Sequence, residues 1–238
     1  MDDLYSNTLN WMDVALTELM RHVPPARLIE TSGGYQYRFT EQSVEQAMIQ
    51  KLARIVSGLR AARLLLDSGF LQEQSAICRL LDEFTEDVVF LSFASLDRSL
   101  SSLHEQFLTA FYAEEFEVGK SAIESDQSRN LVPRRKIHAY ITNRKEQGVN
   151  PSDGIAIAST ISKAYSGYVH GASPQTMEMY ESNPPRFLTH GMLQSVFKND
   201  HQHDIWNHFY RGICSFGFAA KAIGGDEACA QVMKFLQT

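Results

Sequence analysis

Residues 41–68 read EQSVEQAMIQKLARIVSGLRAARLLLDS, and residues 72–96 read QEQSAICRLLDEFTEDVVFLSFASL. In the first stretch Val44, Met48, Leu52, Ile55, Leu59, Ala62 and Leu66 recur in steps of four and three. That rhythm lays one continuous apolar stripe along a long helix. Gly69 supplies the stop, since glycine accepts the left-handed backbone that ends many helices. In the second stretch Ile77, Leu80, Leu81, Phe84, Val88 and Leu91 repeat the pattern, while Phe90 and Phe93 fall on the opposite side. A helix apolar on two sides is surrounded by protein, so 72–96 is expected to be the central helix.

Outward from this pair the helical period persists. Residues 4–22 form a helical segment that Pro24-Pro25 stops, because proline removes an amide donor and disfavours a helical residue before it. Two extended runs within 27–39 flank Ser32-Gly33-Gly34 and predict a small β-hairpin. Helices are expected over 99–117, over 133–147 behind Pro133, and from Pro151-Ser152-Asp153 to about His170. Gly171, Pro174, Pro184, Pro185 and Gly191 break the next segment, whereas Met177, Met179, Tyr180, Phe187 and Leu188 anchor it. A long ordered loop over 171–200 is the expectation. Helices over 202–223 and 226–237, parted by Gly224-Gly225, complete an all-α bundle of about seven or eight helices. The bundle is read as a single domain over 1–238, with a helix and hairpin in 1–40 packed on 41–238.

The composition agrees with a globular chain. Of 238 residues 44% are hydrophobic and 21% charged, which excludes a disordered tail, a collagen-like fibre and a disulfide-dense scaffold. A net charge of −6 argues against a generally basic nucleic-acid surface. Cys78, Cys214 and Cys229 are widely spaced with no CxxC pair, as expected of buried thiols in a reducing compartment. The start Met1-Asp2-Asp3-Leu4 lacks the basic and apolar regions of a signal peptide, and the apolar run 88–96 is too short to span a bilayer. A soluble cytoplasmic protein without a membrane partner is expected. P-loop, dinucleotide, Gly-x-Ser-x-Gly, Glu-x-x-His and HExxH patterns are missing from the sequence, so no cofactor is expected.

Five groups of residues carry candidate chemistry. On the helix of 155–170, Ser159, Lys163, Ser166 and His170 share one side, with Ile157, Ile161, Ala164 and Tyr168 on the other. A histidine at a helix end titrates near neutrality, and a lysine two turns back holds phosphate. On the central helix Arg79 and Glu83 form an i,i+4 pair on a stripe with Glu86 and Phe90. The basic stretch Arg134, Arg135, Lys136, His138, Arg144 and Lys145 suits RNA or an acidic partner. Tyr165, Tyr168, Tyr180 and Phe187, with Arg186 nearby, offer rings on which bases stack. The doublet His203-Asp204, with His170, His201, His208 and Asp226, follows the ligand order of HD-type metal phosphohydrolases, although helix capping by Asp200 or Asp204 explains the acids as well.

The runs Arg79-Leu80-Leu81-Asp82-Glu83 and Tyr165-Ser166-Gly167-Tyr168-Val169-His170-Gly171 together resemble uncharacterised bacterial helical proteins related to the HEPN superfamily. That resemblance implies a helical bundle, often a homodimer. It implies either a metal-independent RNase or a non-catalytic accessory module of defence and mobile-element loci. Catalytic members carry an arginine followed, four to six residues on, by a histidine that acts on the RNA phosphodiester. Here the arginine slot before His170 holds Lys163, which lacks the bidentate fork for phosphate. Arg98 and His104 satisfy the spacing elsewhere. The expected function is therefore a binding or accessory module. The alternatives are an RNase using His170 and Lys163 assisted by Tyr165 or Arg79, and an HD-like phosphohydrolase.

Overall fold

The computed structural model describes residues 2–31, 34–117, 119–121, 123–125, 128–144, 156, 160, 163–224 and 230. Among them the chain is mostly helical and carries two small antiparallel hairpins. Helix α1 (Asp2–Met20) ends ahead of Pro24-Pro25. Strands β1 (Arg27–Thr31) and β2 (Gly34–Arg38) come next, with Leu28 opposite Tyr37 and Glu30 opposite Tyr35. Helix α2 (Val44–Asp67) starts at Ser43, whose hydroxyl accepts from the Gln46 amide while the Gln46 side chain accepts from the Ser43 amide. That reciprocal cap satisfies two amides the helix leaves unpaired. Helix α3 (Leu71–Leu96) is succeeded by α4 (Ser102–Tyr112) and α5 (Arg134–Thr142). Residues 163–169 are helical (α6), followed by α7 (Ser173–Met177), β3 (Tyr180–Ser182), β4 (Pro185–Phe187) and the long α8 (Lys198–Ile223). No helix among the described residues is long and apolar enough to cross a membrane.

Helices α2, α3 and α8 pack on one another, α1 lies against α2 and α8, and α5 lies against α3. The α2 stripe is buried as its spacing requires, with Met48, Leu52, Ile55, Leu59 and Ala62 fully inaccessible. Each such Leu or Ile contributes about 1.5–3 kcal/mol on burial. Phe90 and Phe93 are buried too, so α3 is enclosed on more than one side. Gly212 lets α8 approach closely: a Cβ there would sit 3.1 Å from Leu59 and Met12 side-chain atoms.

Three expectations change. The segment 171–200 is not one loop but a short helix, a hairpin with Tyr180 opposite Phe187, and the first turn of α8. Helix α4 is shorter than 99–117, because Ser101 caps it late and Ala113 is already extended. Leu80 is exposed, because the α3 side facing α8 is the one bearing Gln74, Ser75, Cys78 and Asp82. The start of the helix expected from 151, the helix expected over 226–237 apart from residue 230, and Ser159, Ile157, Ile161, Lys145, Asp226 and Cys229 lie outside the described residues.

The joint between α2 and α3 also anchors the chain just beyond the second hairpin. Gly69 has φ +80°, and its carbonyl accepts from the Met192 amide at 2.7 Å. A Cβ on Gly69 would stand 2.7 Å from that same nitrogen, so only glycine lets residues 191–193 dock there.

Candidate functional site

Gln74, Ser75, Cys78, Asp82 and Thr85 run up one side of α3, all buried. Across from them α8 presents His201, Asp204, His208 and Arg211 at the same helical rhythm. At the lower end His201 Nδ1 lies 3.0 Å from the Ser75 hydroxyl and 2.9 Å from the Gln74 carbonyl oxygen. Gln74 in turn donates to the Cys78 sulfur at 3.2 Å. Burial pushes the His201 pKa down and the Cys78 thiol well up, so the imidazole favours its neutral form and the thiol stays protonated.

At the upper end the Arg211 guanidinium donates to Asp82 Oδ1 and reaches the Thr85 hydroxyl at 3.4 Å. His208 Nδ1 is 3.3 Å from the same Asp82 oxygen. The alignment there is not that of a hydrogen bond, and both His208 Nδ1 and Asp82 Oδ2 are buried without a hydrogen-bond partner among the described residues. Burial raises the Asp82 pKa to about 6 even though Arg211 pulls it down. Burial, and then the Arg211 charge, push His208 down to about 3. The outcome is a neutral imidazole beside a carboxylate shielded from solvent.

Above this floor opens a cleft of about 730 Å³. Its lining combines Ala164, Tyr165 and Tyr168 of α6, Gln175 of α7, and Asp204, Asn207, His208, Tyr210 and Arg211 of α8. The Tyr165 hydroxyl stands 3.4 Å from His208 Nε2, and burial followed by the Asp204 charge raises its pKa. Tyr165 and Tyr168 set their rings 6.4 Å apart at 42°. The Tyr168 hydroxyl donates to Glu178 at 3.0 Å, and Glu178 also accepts from Gln72 at 2.9 Å, which ties α6 to the end of α7 and to α3. The volume and the mixed aromatic and polar lining are those of a small-molecule pocket.

No protein-family model matches the chain. Nor does any curated protein or solved structure match it significantly.

Of the residues singled out in the sequence, Tyr165 alone among the catalytic candidates lines the cleft. Lys163 and His170 are exposed, stand outside its lining, and make no side-chain hydrogen bond or ion pair with any described residue. Arg79 and Glu83 form their ion pair at 2.7 Å, half-buried and away from the cleft. His104 of the Arg98–His104 spacing match is fully buried: Nδ1 caps α4 through Ser101, Nε2 meets the Phe90 carbonyl at 3.1 Å, and the ring stacks on Phe90. His203 is exposed against the Asn199 carbonyl, while Asp204 faces the cleft, so the His203-Asp204 doublet diverges. Among the described residues no group of three or more His, Cys, Asp or Glu is placed to hold a metal ion.

Much of the basic stretch is paired within the fold. Arg134 pairs with Glu86 and Asp87 of α3, His138 with Glu86 at 2.8 Å, and Arg144 with Asp97. Lys51 of α2 joins Asp87 at 2.7 Å and lies over the rings of Phe84, Phe107 and Phe111. These cations are neutralised inside the fold, holding α5 on α3, and of the described members only Arg135 and Lys136 remain exposed. Tyr180 packs edge-on to Phe187 at 5.5 Å, and Arg186 pairs with Glu181 at 2.7 Å, so both pairs belong to the second hairpin.

Asp82, Asp204, His208 and Arg211 do not assemble into a site from the sequence alone, because the two helices that bring them together are more than a hundred residues apart. The local signals are two i,i+4 pairs, Cys78 with Asp82 on one helix and Asp204 with His208 on the other, and neither pair names its partner across the fold.

Proposed function

We propose that this chain is a helical bundle serving as a cytoplasmic binding module of the HEPN-like accessory kind, and that it takes a small polar ligand into the cleft between α6 and α8. The observation carrying this reading is the lining itself. Tyr165, Tyr168 and Tyr210 surround Asp204, Asn207 and His208 in a space of about 730 Å³. Burial holds the His208 imidazole neutral and raises the Tyr165 and Tyr168 hydroxyls. A general base needs a pKa near the working pH, and His208 at about 3 is far from it. Binding is therefore better supported than proton-transfer catalysis.

The test is a ligand-detected NMR screen of anionic, neutral and cationic fragments against the full chain and an Ala164→Trp variant. Ala164 is exposed at the cleft wall, so the indole fills the space without displacing core residues. Fragments that bind the parent and are lost in the variant support the reading. A screen in which no fragment depends on Ala164 refutes it.

A further inference from the structure

Resting on that reading of the cleft, we infer that its ligand is an organic cation, an alkyl- or trimethylammonium group, with Asp204 as counter-ion and the Tyr165 and Tyr168 rings as walls. The charges decide the class. Arg211 brings a positive charge to the lining, and it is paired to Asp82. Asp204 has no ion-pair partner among the described residues, and it lies within the cleft rather than in bulk water. His208, below it on α8, is neutral. The described lining and its floor thus carry one uncompensated negative charge. A phosphate or carboxylate placed beside Asp204 would meet repulsion, with no free cation among the described lining residues to offset it.

The walls suit the same class. A cation over a tyrosine ring is attracted by the negative face of the π system, and aromatic surroundings with one acid are the common receptor for methylated ammonium groups. Asp204, Asn207, His208 and Arg211 succeed one another at i, i+3, i+4 and i+7, so Arg211 sits about 10 Å from Asp204 along α8. The cation therefore occupies the Asp204 end, and the Asn207 amide and Gln175 are left for an uncharged polar part of the ligand.

The test is calorimetric titration of the full chain with choline and with its uncharged carbon isostere, 3,3-dimethylbutan-1-ol. The two share shape and hydroxyl and differ in charge alone. Choline is expected to bind about tenfold more tightly, with Asp204→Asn removing most of that advantage. The comparison of the two probes uses the parent chain alone, so the test stays informative should Asp204→Asn misfold. Equal affinity for the two probes, or an Asp204→Asn variant that binds choline unchanged, overturns the inference. Failure of choline on a chain that still takes other Ala164-dependent fragments overturns the cation alone. Absence of any such fragment overturns the cleft as a site and the cation with it.

Discussion

Replacing His208 by glutamine tests the electrostatics of the cleft floor. His208 is 3% exposed, and its pKa falls from 6.5 to about 3 on folding. Between those values the unfolded chain binds a proton that the folded chain refuses, so stability falls as the pH drops through the window. One pKa unit corresponds to about 1.4 kcal/mol, and from pH 6.5 to 5 this amounts to about 2 kcal/mol. Glutamine carries no titration, and acids remote from residue 208 are common to both chains and cancel, while Asp82, 3.3 Å away, is followed through its own variant below. Urea unfolding followed by circular dichroism at pH 7, 6 and 5 measures the difference. The lead of the parent over His208→Gln is expected to shrink by about 1.4 kcal/mol per pH unit below 6.5. A difference that stays constant across the range would mean that His208 is solvated or protonated in the fold, and the description of the floor would fail.

Asp82→Asn has the opposite sign. The folded carboxyl, raised to about 6 from 3.8, takes up its proton before the unfolded one, so the parent gains on the variant by about 2–3 kcal/mol as the pH falls from 6 to 4. The same urea series checks it. Arg134→Ala strips the shared partner from Glu86 and Asp87; with Lys51 and His138 still in place, a loss of about 2 kcal/mol at pH 7 is expected. A loss near zero would return Arg134 to the surface. Gly69→Ala forces a left-handed backbone on a residue with a Cβ and pushes that Cβ against the Met192 amide, for a loss of at least about 1–2 kcal/mol in thermal or urea unfolding.

Long elements are legible in the sequence because burial on one face leaves a repeated signal. The α2 stripe and the two-sided α3 emerge from spacing alone, and the first hairpin from Ser32-Gly33-Gly34 between extended runs. The second hairpin is not legible: β3 and β4 are three residues each, with mostly exposed side chains, so no alternation marks them. The site is harder still. Glu83 stands out in the sequence as the i,i+4 partner of Arg79, yet Asp82, one residue and about 100° away on the helix, is the carboxylate buried against α8. Likewise Arg134 and His138 read as an exposed basic run, and the acids that neutralise them lie about fifty residues upstream on α3. Local charge patterns report which residues share an element, whereas their partners are set by tertiary packing.

The α6–α8 cleft is the proposed meeting point of this chain and its ligand, and amide shift mapping of the ¹⁵N-labelled full chain during a choline titration tests that most directly. Saturable shifts concentrated in 164–168 and 204–211 are the predicted result. Shifts confined to the first hairpin or to 134–136, or no saturable shift at all, would contradict it.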